Sequence, residues 1–240
     1  MKIFNQIIEI NDILETLSKN LTDYCKENFI SLILYGSWAK NTAKQDSDID
    51  IIAIIEKVDR ATQEQLNKIV RITTHDKEIS LITASLEDFQ KETNPLYTAI
   101  KKEGIIISGS VDLTINPEFS HIKYADFFLK SKKFETRKVD IAKKILEEYP
   151  DYGASNICFI ASKHAIQASL AMKGVGYSSK VGMLLPLAEK YLGKNIANSF
   201  RKLFNLYVKS EYELKFLTKK EEKRAVSYVE TIMKVYSKKS

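Results

Sequence analysis

The sequence predicts an α+β chain: a small mixed sheet with flanking helices over residues 1–112, a linker at 113–120, and an all-α up-and-down helical bundle over 121–240. Three observations predict it. Short apolar runs suited to buried strands alternate with helix-period segments in the first half and vanish from the second. Residues 109–120, GSVDLTINPEFS, lose periodicity and hold Gly109, Pro117 and small polar residues. The formal net charge of +6 is also unevenly divided, since residues 1–112 carry 13 Lys+Arg against 18 Asp+Glu, which is −5 and leaves +11 for the rest.

The elements follow in order. Phe4, Ile7, Ile8, Ile10, Ile13, Leu14, Leu17 and Leu21 recur at helical spacing and predict a helix over 3–28. Ile30–Tyr35, Ile49–Ile55 and Glu78–Thr83 read as strands, with a helix over 61–73 between the second and third. Ser85 is suited to cap a helix starting at Leu86, and a further helix over 96–102 ends at Gly104. Ile105–Ser108 is a fourth strand or an edge. The second half predicts helices at 121–133, 135–149, 154–173, 178–192, 196–209 and 218–237, punctuated by Pro150-Asp151, Gly174-Val175-Gly176 and Gly193-Lys194-Asn195.

Composition excludes several classes. With 8 Gly and 4 Pro the chain is neither collagenous nor loop-dominated, and with Cys25 and Cys158 alone it is not a disulfide scaffold. Both cysteines fall at apolar positions, as buried thiols do, and a reducing, cytoplasmic setting is expected. The N-terminal stretch carries acids within its apolar run and is not read as a secretory signal. The run Ile49–Ile55 is too short to span a bilayer, so no membrane partner is expected.

Chemistry concentrates in Leu34-Tyr35-Gly36-Ser37, a strand ending in a small-residue turn, and in Ser47-Asp48-Ile49-Asp50-Ile51, where the next strand begins with two carboxylates. Positions two apart on a strand share a face at about 6.5–7 Å. Asp48 and Asp50 therefore point one way while Ile49 and Ile51 pack the other. Like charges opening an apolar strand are costly unless a cation sits between them, and Mg²⁺ (or Mn²⁺) takes one or two carboxylates together with substrate phosphates. Gly36-Ser37 supplies the complementary half, because glycine lets the backbone approach a phosphate and successive N–H groups at a strand-to-helix turn form an anion nest.

Gly36, Ser37, Asp48 and Asp50, with ten residues between Ser37 and Asp48, resemble the motif of the nucleotidyltransferase superfamily related to DNA polymerase β. The resemblance covers residues 30–108. It implies a nucleotidyltransferase-type mixed sheet, metal binding by Asp48 and Asp50, and a triphosphate held by Gly36 and Ser37, with ATP or another NTP as substrate. Asn41 stands where the smaller version of the motif has a second Gly, and Asn tolerates left-handed backbone. The family completes its site with a third carboxylate on a neighbouring strand as general base; Glu78 is the candidate, Asp76 and Glu87 are weaker substitutes, and the alternative is that this position falls on Ser80, which has no carboxylate. Lys40 and Lys44 lie in the connecting turn, within reach of nucleotide phosphates or solvated as ordinary loop lysines. Trp38 is expected to pack against the turn.

Residues 121–237 resemble the HEPN family of small helical domains, often fused or paired with minimal nucleotidyltransferases. The carrying residues are Ser155–Gly174, like that family's central helix, and Leu206–Tyr212, like its fourth-helix signature. Many such domains are ribonucleases using Arg-x4–6-His. Here Arg71 precedes His75 by four residues but belongs to the first domain, and neither His121 nor His164 has a suitably spaced Arg, so this activity is not expected. His164 on an Ala-rich helix reads as a packing residue. The lysines of this half, Lys130, Lys132 and Lys133 among them, read as a solvated surface, and nucleic acid is not the favoured partner.

Together these resemblances imply an Mg²⁺-dependent enzyme that moves an NMP group, AMP from ATP, onto an acceptor hydroxyl. The acceptor is a protein hydroxyl, as in toxin–antitoxin pairs where a tyrosine of the HEPN partner is adenylylated, or a small molecule such as an aminoglycoside. The rival is a catalytically silent module that binds RNA or protein. A homodimer through the helical bundle follows from resemblance alone.

Overall fold

The opening helix-period run folds as α1, Lys2–Cys25, closed by a 3₁₀ turn at Lys26–Asn28. The computed structural model describes residues 2–73, 77–116, 118, 120–149, 153–175 and 180–237, with side chains of the first helix from Ile10 onward. His75, Asp76, Pro117, Pro150-Asp151, Gly176 and the side chains of Phe4, Ile7 and Ile8 lie outside the described residues. The chain divides into two units, Met1–Pro117 and Glu118–Ser240.

In the first unit β1 (Phe29–Tyr35), α2 (Gly36–Ala39), β2 (Ile49–Ile55), α3 (Arg60–Thr73), β3 (Ile79–Ser85), α4 (Leu86–Lys91), α5 (Pro95–Glu103) and β4 (Ile105–Gly109) follow α1. The strands form a mixed sheet in the order β3-β2-β1-β4, so Ile105–Gly109 is an edge. β1 runs antiparallel to β2 and β4, whereas β2 and β3 are parallel and joined through α3, as a parallel pair requires a crossover.

Alternation along the strands sends their side chains to two cores. Leu32, Leu34, Ile49, Ile51, Ala53 and Ile55 meet Ile10, Leu14, Leu17 and Leu21 of α1 and Leu66 and Val70 of α3. Ile33, Ile52, Ile54 and Ala84 meet Phe89 of α4 and Ile100 of α5 on the opposite face. Covering both faces accounts for the unbroken apolar runs of β1 and β2. The four fully buried α1 side chains contribute about 1.5–3 kcal/mol each, which fixes the helix to the sheet. Ser85 caps α4 by accepting from the Asp88 N–H, as its position predicted.

In the second unit a short α6 (Ser120–Lys123) precedes α7 (Ala125–Glu148), α8 (Ser155–Met172), α9 (Val181–Leu192), α10 (Lys194–Glu211) and α11 (Lys219–Met233). α7 corrects an expectation. Two helices were predicted with a break near Phe134, but the segment lacks Gly or Pro to interrupt it, and Glu135 turns inward as part of one continuous helix. α8 is the central helix, and Cys158, Ala161, Ala165, Ile166, Ala168 and Leu170 are buried among the remaining helices. Its small side chains let neighbouring helices approach on most of its circumference, which is why its sequence shows little amphipathic contrast.

Candidate functional site

The Gly36-Ser37 turn and the start of β2 meet at one end of the sheet. Gly36 sits at φ +72°, a conformation costly for residues with a Cβ. Space imposes the same requirement, since a Cβ at Gly36 would collide with the Asp50 carboxylate, lying 3.0 Å from its Cγ. The glycine therefore serves two ends: it turns the chain out of β1 and leaves room for the carboxylate beside that turn.

α2 is one turn long, and Tyr35, its N-cap, provides no side-chain cap to the first N–H groups. Thr42 N–H donates to the Ser37 carbonyl at 2.9 Å and Lys40 N–H to the Gly36 carbonyl at 3.2 Å, closing the turn. Asn41 adopts φ +55°, the left-handed conformation that its place in the motif predicted. Its buried side-chain oxygen has no hydrogen-bond partner. Trp38 is buried and packs against the turn as expected, with its Nε1–H donating to the Ser47 carbonyl at 3.2 Å. The Ser47 hydroxyl accepts from Lys44 N–H at 2.8 Å, and Lys77 donates to the Gln45 carbonyl at 2.9 Å with its ammonium 4.8 Å from the Trp38 ring centroid. The loop delivering Asp48 is thus fastened at Gln45 and Ser47.

Asp50 is half-buried and Asp48 exposed. Burial, and secondly the charge of Asp48, push the Asp50 carboxyl above the ordinary carboxylate range. Burial also raises the Tyr35 phenol, with the Asp50 charge adding to it. In the sheet Asp50 pairs with Tyr35 of β1 on one side and Ser80 of β3 on the other. Three polar side chains thus form a row across three strands, on the face that α4 and α5 cover further along.

Glu78 does not belong to a strand, because β3 begins at Ile79; it is exposed, and its carbonyl accepts from Ile49 N–H at 2.9 Å. That bond places its backbone one strand away from the Asp48–Ile49 peptide. Glu87 lies in the first turn of α4 and is ion-paired with Lys91, at the far end of β3. Lys40 forms an ion pair with Glu103 of α5, a partner its sequence position gave no signal of, and Lys44 is exposed. Among the described residues no three His, Cys, Asp or Glu side chains gather as a metal-binding group. The donors that are present, Asp50 packed against Gly36 and the exposed Asp48 two residues before it, fit a hard divalent cation that completes its shell with water and phosphate oxygens.

In the second unit His164 is exposed rather than packed, which corrects the expectation from its Ala-rich helix. Its Nδ1 lies 3.0 Å from Glu135 Oε1, and Lys138 Nζ lies 2.9 Å from Oε2 of the same buried carboxylate. Tyr207 stacks on Phe159 at 4.2 Å between centroids and meets Tyr212 edge-on at 5.8 Å. Tyr212 is 72% exposed.

Comparison with known proteins follows the same division. Residues 15–112 match the family model described as polymerase beta, nucleotidyltransferase, and residues 136–239 match that of the HEPN domain. Among solved structures, the spectinomycin adenyltransferase AAD(9) from Enterococcus faecialis, determined with ATP and spectinomycin, is 13% identical, covers 95% of this chain and 99% of its own, and superposes with a TM-score of 0.52. That likeness concerns the fold. A nucleotidyltransferase-like protein from Exiguobacterium sibiricum 255-15 is 14% identical over 92% of this chain and 74% of its own, with a TM-score of 0.42. A toxin-antitoxin structure with AMP-PNP is 15% identical over 55% of this chain and 97% of its own, with a TM-score of 0.31. No curated protein sequence matches the chain.

Proposed function

Residues 15–112 form a polymerase-β-type nucleotidyltransferase domain and residues 136–239 a HEPN domain, and from that premise we propose that the chain transfers an NMP group, AMP from ATP, to a hydroxyl on a protein acceptor. The observation that supports the proposal most is the packing of the Asp50 carboxylate against Gly36, which brings the Gly36-Ser37 turn and one of the two acids together. Asp48 and Asp50 would hold Mg²⁺, which when bound neutralises phosphate charge and polarises the phosphoryl oxygens. Gly36 and Ser37 present backbone N–H groups to the triphosphate. Lys44 is free of the constraint that Glu103 puts on Lys40 and reaches phosphate more readily.

In the reaction the acceptor oxygen forms a bond to the α-phosphorus while the bond from that phosphorus to the bridging oxygen of the β-phosphate breaks. Pyrophosphate leaves, and the acceptor proton passes to the carboxylate of Glu78, whose backbone carbonyl accepts from Ile49 N–H next to Asp48. Positioning and charge stabilisation supply most of the acceleration.

A protein acceptor is favoured by charge, because the +11 helical half repels a polycationic small molecule. Tyr212, exposed in the segment that resembles the HEPN signature, is the acceptor tyrosine to examine first, and Tyr207 beside it the second. The spectinomycin adenyltransferase is similar in fold across 95% of this chain, and this keeps a small-molecule acceptor as the alternative. A silent binding module is the remaining alternative, favoured by the absence of a carboxylate beside Asp50 on β3.

The test is incubation with α-labelled or γ-labelled ATP and Mg²⁺, using the protein itself, cell-extract proteins and candidate small molecules as acceptors. Label from the α-phosphate alone is expected on the acceptor, and none with Asp48→Ala/Asp50→Ala. No α-label on any acceptor would leave the silent module.

A further inference from the structure

The geometry points to Ser80 as the third oxygen donor of the Asp48–Asp50 site, and to a site that takes one divalent cation with its nucleotide rather than two. This rests on the nucleotide-binding half of the function proposed above. The parallel register sets Asp50 directly beside Ser80, so the two side chains leave the same face of the sheet on neighbouring strands about 4.8 Å apart. On the other flank stands Tyr35, held half-buried against the core under α4 and α5. Gly36 closes against the carboxylate from above the strand end. Of these neighbours, Ser80 alone is both exposed and in lateral register with Asp50, and its hydroxyl is a neutral oxygen donor.

Protein donors set the number of cations, since the triphosphate brings its own anionic oxygens for the ion that travels with it. A second ion about 3.5–4 Å away needs further protein ligands, and among the described residues no third carboxylate joins Asp48 and Asp50. Glu78 sits beyond the end of β3, on the Asp48 side of the row, and is exposed to water. Lys77, its neighbour, points to the Gln45 carbonyl and adds positive charge at that same end, which further disfavours a second cation there. Ser80 thus completes the shell of the one ion with a neutral hydroxyl.

The experiment counts Mn²⁺ bound to the full chain by electron paramagnetic resonance, in the presence of an ATP analogue with a methylene between the α- and β-phosphorus. One analogue-dependent Mn²⁺ per chain is expected. Ser80→Ala keeps that stoichiometry with affinity weakened about tenfold and an unchanged melting temperature. Glu78→Gln leaves stoichiometry and affinity unchanged. Ser80→Asp adds a second ion, seen as spin coupling between the two, and Ser80→Asn serves as its control with one. Two ions in the wild type, an unaltered affinity in Ser80→Ala, one ion in Ser80→Asp, or no analogue-dependent binding in the wild type would each overturn the assignment. One ion in the wild type with the expected response to Ser80→Ala and Ser80→Asp, but no α-label on any acceptor, would retire the transfer reaction and leave Ser80 in its place.

Discussion

Gly36 and the Asp50 carboxylate pack together at the candidate site, and each leads to a prediction. Gly36→Ala puts a methyl group into the Asp50 carboxylate at a left-handed φ, so the turn or the acid must move. A stability loss of about 1–2 kcal/mol is expected in urea unfolding, with nucleotide affinity by calorimetry down at least about tenfold. Asp50 carries the opposite sign. Its carboxyl is raised in the folded state by burial and by Asp48, so the group favours folding at pH below the unfolded carboxylate value and opposes it once pH rises through the raised one. Asp50→Asn should therefore raise the melting temperature of the metal-free protein at pH 7 by about 1–3 °C, and the proposed function predicts that Mg²⁺ with nucleotide raises the melting temperature of the wild type and not of this variant. An unchanged or lower metal-free melting temperature would contradict the charge assignment. At this scale the sequence was informative where the chemistry is local: alternation placed Asp50 opposite Ile49 and Ile51, although β2 begins at Ile49 and Asp48 lies just before it, and residue type predicted the left-handed Asn41. Alternation says which face a residue takes but not what pairs with it. The Asp50–Ser80 register and the Lys40–Glu103 ion pair depend on strand and helix placements set far along the chain, which kept Glu78 and Ser80 as alternatives in the sequence.

Elements follow local rules until tertiary packing overrides them. The strands and the Ser85 cap were legible because apolar runs and capping chemistry act over a few residues. The unbroken α7 was not, because the inward turn of Glu135 depends on Lys138 and on His164 of another helix. Nor was the buried pair that ties α4 and α5 to the chain beyond β4. Lys101 donates to Glu92 at 3.0 Å and to the Thr114 carbonyl at 3.0 Å, while Glu92 accepts from Asn116 N–H at 2.7 Å, with both side chains almost wholly buried. Lys101→Ala leaves that carboxylate buried without its cation, and a loss of about 3–5 kcal/mol in urea unfolding is expected; a loss below about 1 kcal/mol would show the pair to be dispensable. Between α10 and α11, Glu221 accepts from Lys209 at 2.6 Å and completes the capping box with Thr218. These bonds lower its carboxyl to about 2, so their contribution is full above the ordinary glutamate value and disappears as pH falls from there towards about 2. Wild type should melt higher than Glu221→Gln at pH 6, and the difference should shrink as the pH is lowered through that window.

Over the whole molecule, the net charge of +6 conceals two units of opposite character. Residues 1–112 are acidic, with Asp48 and Asp50 at the site, while the helical half holds the excess of Lys and Arg. If the helical half bound nucleic acid through its lysines, affinity would fall steeply with salt and survive Asp48→Ala/Asp50→Ala; nucleotidyl transfer predicts instead that those substitutions remove the activity. No helix among the described residues is long and apolar enough to cross a membrane. The measurement that bears most directly on the account is the phosphorus balance when the full chain turns over ATP with Mg²⁺ and an acceptor, followed by phosphorus NMR. Transfer of AMP predicts pyrophosphate in step with an AMP–acceptor phosphodiester, and neither product with Asp48→Ala/Asp50→Ala. Orthophosphate and ADP as the products, or pyrophosphate that persists in the double variant, would contradict it.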